Sequence, residues 1–173
     1  MSRTPPSRPH DSGLAAAIAS DLDGNFEDLV VAYQDRLFSY ALSLCGNPAR
    51  AEEIVQDAFL RAYRALRRYQ PQRRRELALR PWLYRITLNT FRNHLRARHL
   101  ETVPLGETPN LKGQPAAEPE GAALRDGRAR QLHAALLRLP LRHRQAIVLR
   151  YVHQLTFPEV AHILGQPVGI NNS

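Results

Sequence analysis

Arginines interleaved with aromatic and amide side chains dominate residues 54–98. This stretch holds twelve arginines against two acids, Asp57 and Glu76, a local balance of +10 in a chain whose net charge is +8. Arginine binds phosphate oxygens, aromatic rings stack on bases, and amides both donate to and accept from the edge of a base. The pattern therefore predicts binding to a nucleic acid whose bases are contacted as well as its phosphates.

The residues that could support catalysis or bind a metal lack the spacing that either chemistry needs. Seven histidines are present, but His94 and His99 are five residues apart, whereas ligands that share a helix face are three or four apart. No CxxC or HExxH motif, Ser/His/Asp set, carboxylate pair or glycine-rich phosphate loop is recognisable. We therefore expect a protein that is not an enzyme, with no catalytic residues, metal, cofactor or small-molecule substrate.

Composition restricts the partners and the compartment. A pI near 10.5 suits binding to nucleic acid, an acidic protein surface or an anionic membrane. No apolar run approaches the roughly 18 residues that a membrane span requires, so we expect no membrane insertion. Cys45 is the only cysteine, which excludes an intrachain disulfide and fits a reducing cytoplasm.

Helical periodicity organises the N-terminal half of the chain. Apolar residues recur at three- and four-residue steps through residues 26–44, which predicts a helix with one apolar face. Asn25 is expected to cap the start of this helix and Gly46 to end it. Asn47 and Pro48 then supply the N-cap and first residue of a second helix.

Further helices are predicted over residues 81–98, 124–139 and 142–152, and no segment alternates with period two as a strand would. Thr156 and Glu159 form a capping-box pattern that opens a short helix at 157–164, which Gly165 ends. Such a helix followed by a turn is typical of the first half of a helix-turn-helix, whose second helix is expected to start near residue 168.

Residues 1–12 and 101–121 are rich in proline and polar residues and have few of the large apolar residues that a core needs. Residues 1–21 are predicted to be a disordered N-terminal arm, and residues 101–121 a flexible linker. The chain is therefore predicted to be all-α, with two small helical domains at residues 22–100 and 122–173.

Two motif blocks resemble conserved regions of bacterial extracytoplasmic-function (ECF) RNA polymerase sigma factors. Residues 55–63, VQDAFLRAY, and 82–89, WLYRITLN, resemble conserved region two. Residues 139–150, LPLRHRQAIVLR, and 155–165, LTFPEVAHILG, resemble the front half of region four. The resemblance implies a region 2 bundle of three or four helices, followed by a region 4 domain that here contains an incomplete helix-turn-helix.

The resemblance also implies partners. Members of the family bind core RNA polymerase, recognise promoter DNA and help to open it at the minus-ten element. An anti-sigma factor commonly covers the surfaces that they use. Core polymerase, promoter DNA and an anti-sigma factor are therefore the partners that we expect.

The functional residues carried over from the family fall into three sets. Those expected to dock on the clamp helices of the polymerase beta-prime subunit are Glu53, Gln56, Asp57 and Leu60. Most relatives have Glu at position 57, so the charge is kept on a shorter side chain. Asn89 matches a position that helps to capture a flipped base, and the expected DNA-binding set is Arg85, Asn89, Arg92, Asn93, Arg96 and Arg98. The helix-turn-helix residues are Thr156, Phe157, Glu159, Val160, Ile163 and Gly165.

These residues also have purely structural interpretations. Gln56 and Asp57 could be solvated helix residues, and Asn89 a surface amide. Trp82 is expected to lie in the core rather than to stack on a base. Whether the run at 73–75 touches DNA, polymerase or only solvent stays open.

The sequence departs from the family after the Pro-Val-Gly motif at 167–169, where relatives continue into a basic recognition helix and this chain reads Ile-Asn-Asn-Ser. We expect impaired recognition of the minus-thirty-five element, and exposed apolar surface among Val160, Ile163 and Leu164. The end could reflect a truncated gene product, a fragment, or a natural variant that works mainly through region two. The alternative functions are a non-initiating decoy that binds polymerase or an anti-sigma factor, and a generic arginine-rich nucleic-acid binder.

Overall fold

The computed structural model of the chain describes residues 9–102 and 127–165, and every regular element in these two ranges is helical. The first range holds α1 (Pro9–Ser20), α2 (Leu22–Cys45), α3 (Pro48–Arg68), α4 (Pro71–Arg75) and α5 (Leu79–Thr102). The second holds α6 (Gly127–Arg138), α7 (Leu141–Ile147), a π-helical turn (Val148–Val152) and α8 (Phe157–Leu164). The predicted all-α fold is confirmed.

Four of the predicted helix boundaries are confirmed by their capping geometry. Gly46 and Gly165 adopt left-handed backbone conformations, with φ of 69° and 70°, at the ends of α2 and α8. The side chain of Asn47 accepts a hydrogen bond from the first turn of α3. Thr156 and Glu159 form the complete capping box at the start of α8.

The start of α2 differs from the prediction. Asp21, rather than Asn25, is the N-cap, and its carboxylate accepts from the backbone N–H of Gly24 at 3.0 Å. The Asn25 amide instead donates to the backbone carbonyls of Ala17 and Asp21. It thereby joins the end of α1 to the start of α2.

The prediction of a disordered arm over residues 1–21 is wrong for residues 9–20, which form α1. Ala15 and Ile18 are buried in the core that α1 shares with α2. The hydroxyl of Tyr33 donates to the buried carboxylate of Asp11. The proline-rich composition concealed this short apolar face, which forms a helix because α2 and α4 pack against it. Residues 1–8 lie outside the described ranges.

Two other boundaries differ. Helix α5 begins at Leu79, so Pro81 lies in its first turn, where a missing N–H breaks no intrahelical bond. The helix predicted over residues 142–152 is α7 followed by a π-helical turn, in which the N–H of His153 reaches the carbonyl of Val148 at 3.0 Å. Apart from helical residues 101 and 102, the linker predicted over 101–121 lies outside the described residues, as does the helix predicted near residue 168.

Helices α1, α2, α3 and α5 form a bundle whose largest fully buried side chains include Tyr33, Tyr40 and Tyr84. The second range packs on this bundle, with α8 against α5 and with α6 and α7 against α2. Val160 and Ile163 are 8% and 1% exposed and belong to the same core. The predicted exposure of α8 is therefore wrong for these two residues, because α5 covers them, and Leu164 is half-buried.

Candidate functional site

Helix α3 presents a mixed polar and apolar face to solvent. Its opposite face is buried in the bundle through Ile54, Val55, Ala58, Phe59, Ala62 and Leu66. Four residues of α3 are separated by steps of three, one and three positions, so they lie on one side of the helix. We call this set the docking face. These residues are Glu53, Gln56, Asp57 and Leu60. All are exposed except Asp57, which is half-buried, and the Leu60 side chain is 55% exposed.

Helix α5 presents a second face, which is rich in arginine. Arg85, Asn89, Asn93, Arg96 and Arg98 are exposed, and Arg92 is half-buried. We call this set the reading face. The Asn89 amide has no protein partner within the described residues, and no Asp or Glu precedes Glu101 on this helix. An unpaired amide framed by guanidinium groups can contact a base edge while its neighbours bind phosphates.

The other side of α5 is packed and cannot contact a ligand. Thr87 and Thr90 are buried and donate to the carbonyls of Leu83 and Ile86, one turn earlier. Leu88 is also fully buried. This packing fixes the orientation of α5, and the reading face is the side that stays exposed.

Asp57 joins the docking face to α5. Its Oδ2 atom lies 3.1 Å from Nε of Arg61, one turn further along α3, and 3.2 Å from Nε2 of His94 on α5. The Asp57 side chain is 29% exposed. The carboxylate expected to dock on polymerase is therefore held by a side chain from the helix that carries Asn89.

Residues of the second range contact α5 on its packed side. The hydroxyl of Tyr84 lies 2.9 Å from Nδ1 of His153, and the Arg80 guanidinium donates to the backbone carbonyl of His153. The imidazole also packs edge-on against the ring of Tyr40. Burial, and after it the charges of Arg80 and Arg36, lowers the pKa of His153 to about 4, so its ring is neutral at pH 7.

The same environment affects the phenol of Tyr84. Burial raises the pKa of Tyr84 to about 12, although the charges of Arg80 and Arg36 act in the opposite direction. The hydroxyl therefore keeps its proton at neutral pH. This cluster of neutral rings at the junction of the two ranges has a structural role in the bundle.

The arginine run at 73–75 is divided between two roles. Arg74 is half-buried, and its Nε donates to the carbonyl of Leu66 at 2.8 Å near the end of α3. The guanidinium of Arg73 lies over the ring of Tyr69, 4.0 Å from its centroid, and Tyr69 packs against half-buried Trp82. Arg75 is exposed. The run therefore stabilises the connection between α3 and α5, and only part of it is available to a ligand.

The predicted helix-turn-helix residues lie on and around α8. The backbone N–H of Thr156 donates to the carboxylate of Glu159 at 2.7 Å, which completes the cap. Val160 and Ile163 face the core, whereas Phe157 is 58% exposed with the Arg150 guanidinium 4.8 Å from its ring centroid. These contacts support α8 as a scaffold helix.

Several residues that position the site were missed in the sequence. The sequence spacing of His94 speaks only against a metal site, and no sequence pattern distinguishes Arg80, Arg144 or His153. Arg144 is buried and donates to the carbonyl of Leu44 at 2.9 Å. A buried arginine or histidine is not marked by local periodicity, so no signal in one sequence would have found these residues.

Among the described residues no cluster of three or more His, Cys, Asp or Glu side chains could hold a metal ion. No helix in the described ranges combines the length and the apolar character needed to cross a membrane.

Comparison with known families places both parts of the chain. Residues 29–100 match the family description "Sigma-70 region 2", and residues 129–169 match "Sigma-70, region 4". The RNA polymerase sigma-H factor of Pseudomonas aeruginosa is 32% identical over 152 residues, which cover 83% of this chain and 77% of that protein. SigW of Bacillus subtilis, an ECF RNA polymerase sigma factor, is 30% identical, with 83% of this chain and 79% of SigW covered. The chain belongs to the ECF family of RNA polymerase sigma factors.

The sigma-E factor of Escherichia coli K12, also an ECF sigma factor, is similarly related to this sigma factor. It is 33% identical, with 83% of this chain and 77% of that protein covered. The family predicted from the sequence motifs is thus confirmed. This sigma factor acts in transcription initiation, and its family is not enzymatic.

Two solved structures share the fold. One is CnrH in complex with the cytosolic domain of CnrY, with a TM-score of 0.62 and 27% identity over 91% of this chain and 84% of CnrH. The other is the sigma factor RpoE in complex with the anti-sigma factor NepR from Bartonella quintana, with a TM-score of 0.60 and 24% identity. The latter alignment covers 83% of this chain and 85% of RpoE.

Proposed function

We propose that this sigma factor binds core RNA polymerase through the docking face of α3 and recognises the minus-ten promoter element through the reading face of α5. In this proposal Asn89 contacts a base that has left the duplex stack, and the surrounding arginines hold the phosphates of the same strand. Polymerase supplies the chemistry of RNA synthesis. The sigma factor would act in the cytoplasm as a subunit that directs polymerase to promoters and helps to open them.

The observation that carries the proposal is the exposed, unpartnered amide of Asn89 on an arginine-rich face whose opposite side is buried. An amide group offers a donor and an acceptor to the Watson–Crick edge of an unstacked base. Unstacking a base costs a few kcal/mol, so the contacts made to the flipped base must return about that much. Neighbouring arginines add affinity that depends on salt and carries little sequence information.

Docking on polymerase is supported by the composition of the α3 face. It combines an exposed leucine with the carboxylates of Glu53 and Asp57 and the amide of Gln56. Apolar anchors surrounded by charged groups are typical of protein interfaces. The face is small, so we expect single substitutions in it to have a large effect on affinity.

Copurification with core polymerase tests the docking face. The double variant Gln56→Ala/Asp57→Ala should lose binding. The control Gln34→Ala/Asp35→Ala should still bind, because it removes the same two residue types from exposed positions on α2. Failure of the unaltered chain to bind core polymerase would refute the proposal.

Open-complex formation and run-off transcription on a template that depends on its minus-ten element test the reading face. Asn89→Ala should reduce both at matched polymerase occupancy, and Gln70→Ala, an exposed amide elsewhere, is the control. The chain would be a generic nucleic-acid binder if it bound single-stranded DNA of any sequence with equal affinity and if Asn89→Ala did not change its sequence preference. Polymerase binding without open-complex formation would favour the decoy.

We also propose that an anti-sigma factor regulates this sigma factor. The structure of RpoE, which has the same fold, is a complex with the anti-sigma factor NepR. Such a partner would compete for the docking or reading face. Displacement of the full chain from core polymerase by a stoichiometric partner protein would support this, and formation of a ternary complex with undiminished transcription would refute it.

A further inference from the structure

The Asp57 carboxylate is held by only one of its two oxygens. Oδ2 receives both Nε of Arg61 and Nε2 of His94, at 3.1 and 3.2 Å. Oδ1 makes no hydrogen bond or ion pair within the described residues. A carboxylate fixed in this way presents one oxygen, in a defined direction, to a donor from another molecule.

Arg61 and His94 differ in how strongly they fix the position of the Asp57 carboxylate. Arg61 is one turn away on the same helix and 46% exposed, and such surface pairs contribute little because a long side chain must be ordered. His94 comes from a different helix, has a short and rigid side chain, and is 33% exposed. The contact from His94 therefore fixes the carboxylate relative to the bundle.

We propose that His94 is a positioning residue for polymerase docking. By donating from Nε2 to Oδ2 it orders Asp57 before binding, so that Oδ1 meets a cationic donor on the polymerase surface. This inference rests on the proposed docking face and adds a residue from α5 to it. The same contact joins the docking face to the helix that carries Asn89.

The expected size of the effect follows from the cost of ordering a side chain at an interface. Losing this preorganisation should weaken binding by about two- to tenfold. A larger loss is not expected, because Asp57 can still adopt the binding conformation without His94.

The test measures the affinity of the full chain for core polymerase in five variants. His94→Leu should bind about two- to tenfold more weakly. His94→Gln should stay close to the unaltered chain, because its side-chain N–H can also donate to Oδ2. Asp57→Ala/His94→Leu should bind no more weakly than Asp57→Ala alone. His143→Leu, at an exposed histidine on α7, is the control.

The outcomes separate this inference from the proposed function. If His94 has only a structural role, the losses of binding affinity should add in the double variant. Thermal unfolding should then also show lower stability for both His94→Gln and His94→Leu. Three results would overturn the inference while leaving the docking face intact. The losses could be additive, or His94→Leu could bind as well as the unaltered chain. His94→Leu could also bind more tightly, which would mean that His94 competes with polymerase. If Asp57→Ala itself binds normally, the docking face is wrong and the inference falls with it.

Discussion

The guanidinium of Arg144 donates to the backbone carbonyl of Leu44 at the end of α2, 2.9 Å away. Its other terminal nitrogen donates to the carbonyls of Leu137 and Leu139, at 2.8 and 3.0 Å. One buried side chain on α7 thereby satisfies carbonyl groups at the ends of two helices, which have no partner within their own helix. The contact links the region 2 bundle to the helices of region 4.

Replacement of Arg144 by Met should therefore destabilise the protein. Three carbonyl groups lose a charged donor, and we expect the free energy of unfolding to fall by about 2–4 kcal/mol. Urea denaturation followed by circular dichroism measures this. Arg142→Met, at an exposed position on the same helix, should change the value by less than about 0.5 kcal/mol. Equal effects of the two substitutions would contradict the role of Arg144.

His153 should make stability depend on pH. The pKa of His153 is lowered from 6.5 to about 4 in the folded chain, so between these values the unfolded chain binds more protons. Stability is then fully present above about pH 6.5 and is lost as the pH falls towards 4. This one group should cost about 2 kcal/mol between pH 7.5 and pH 5.

Urea unfolding at pH 7.5 and pH 5 measures that loss. His153→Phe keeps an aromatic ring beside Tyr40 and Tyr84 but cannot be protonated, so its stability should change less between the two pH values. The control His143→Phe, at an exposed histidine, should retain the pH dependence of the unaltered chain. An unchanged pH dependence in His153→Phe would show that other groups cause it.

Leu60 should contribute to polymerase binding and not to stability. Its side chain is 55% exposed and is the apolar member of the docking face. Leu60→Asp should weaken binding to core polymerase by about tenfold or more, as expected for an apolar interface anchor. Val31→Asp is the matched control, because Val31 is 64% exposed on α2. Equal weakening by both variants would place the interface elsewhere or indicate a loss of folding, which circular dichroism would detect.

Arginines of the reading face should determine the salt dependence of DNA binding. For a single-stranded minus-ten oligonucleotide, removal of one phosphate contact lowers the slope of log affinity against log salt by about 0.7. Arg85→Ala and Arg96→Ala should each show this change without altering sequence preference, whereas Arg142→Ala should not. Fluorescence anisotropy over a range of salt concentrations measures the slopes. A change of preference with an unchanged slope would mean that these arginines contact bases.

Much of the fold could be predicted from local sequence. The caps at Asn47 and Thr156 and the glycine ends at Gly46 and Gly165 lie where the sequence indicated, because each depends on a few neighbouring residues. The error at α1 has a physical reason. A short helix with a small apolar face is unstable alone, and only packing against α2 and α4 decides that it forms.

The sequence by itself determined most of the helices, though not α1, and also the family and the composition of the two exposed faces. The tertiary structure alone decided which side chains meet. Asp57 contacts His94 across 37 positions, Tyr84 contacts His153 across 69, and Arg144 contacts Leu44 across 100. Periodicity reports which side of a helix is buried, but the partner of a buried polar group is set by how helices pack. For that reason the sequence could predict Asp57 as a docking residue, whereas it could not show that His94 contacts it.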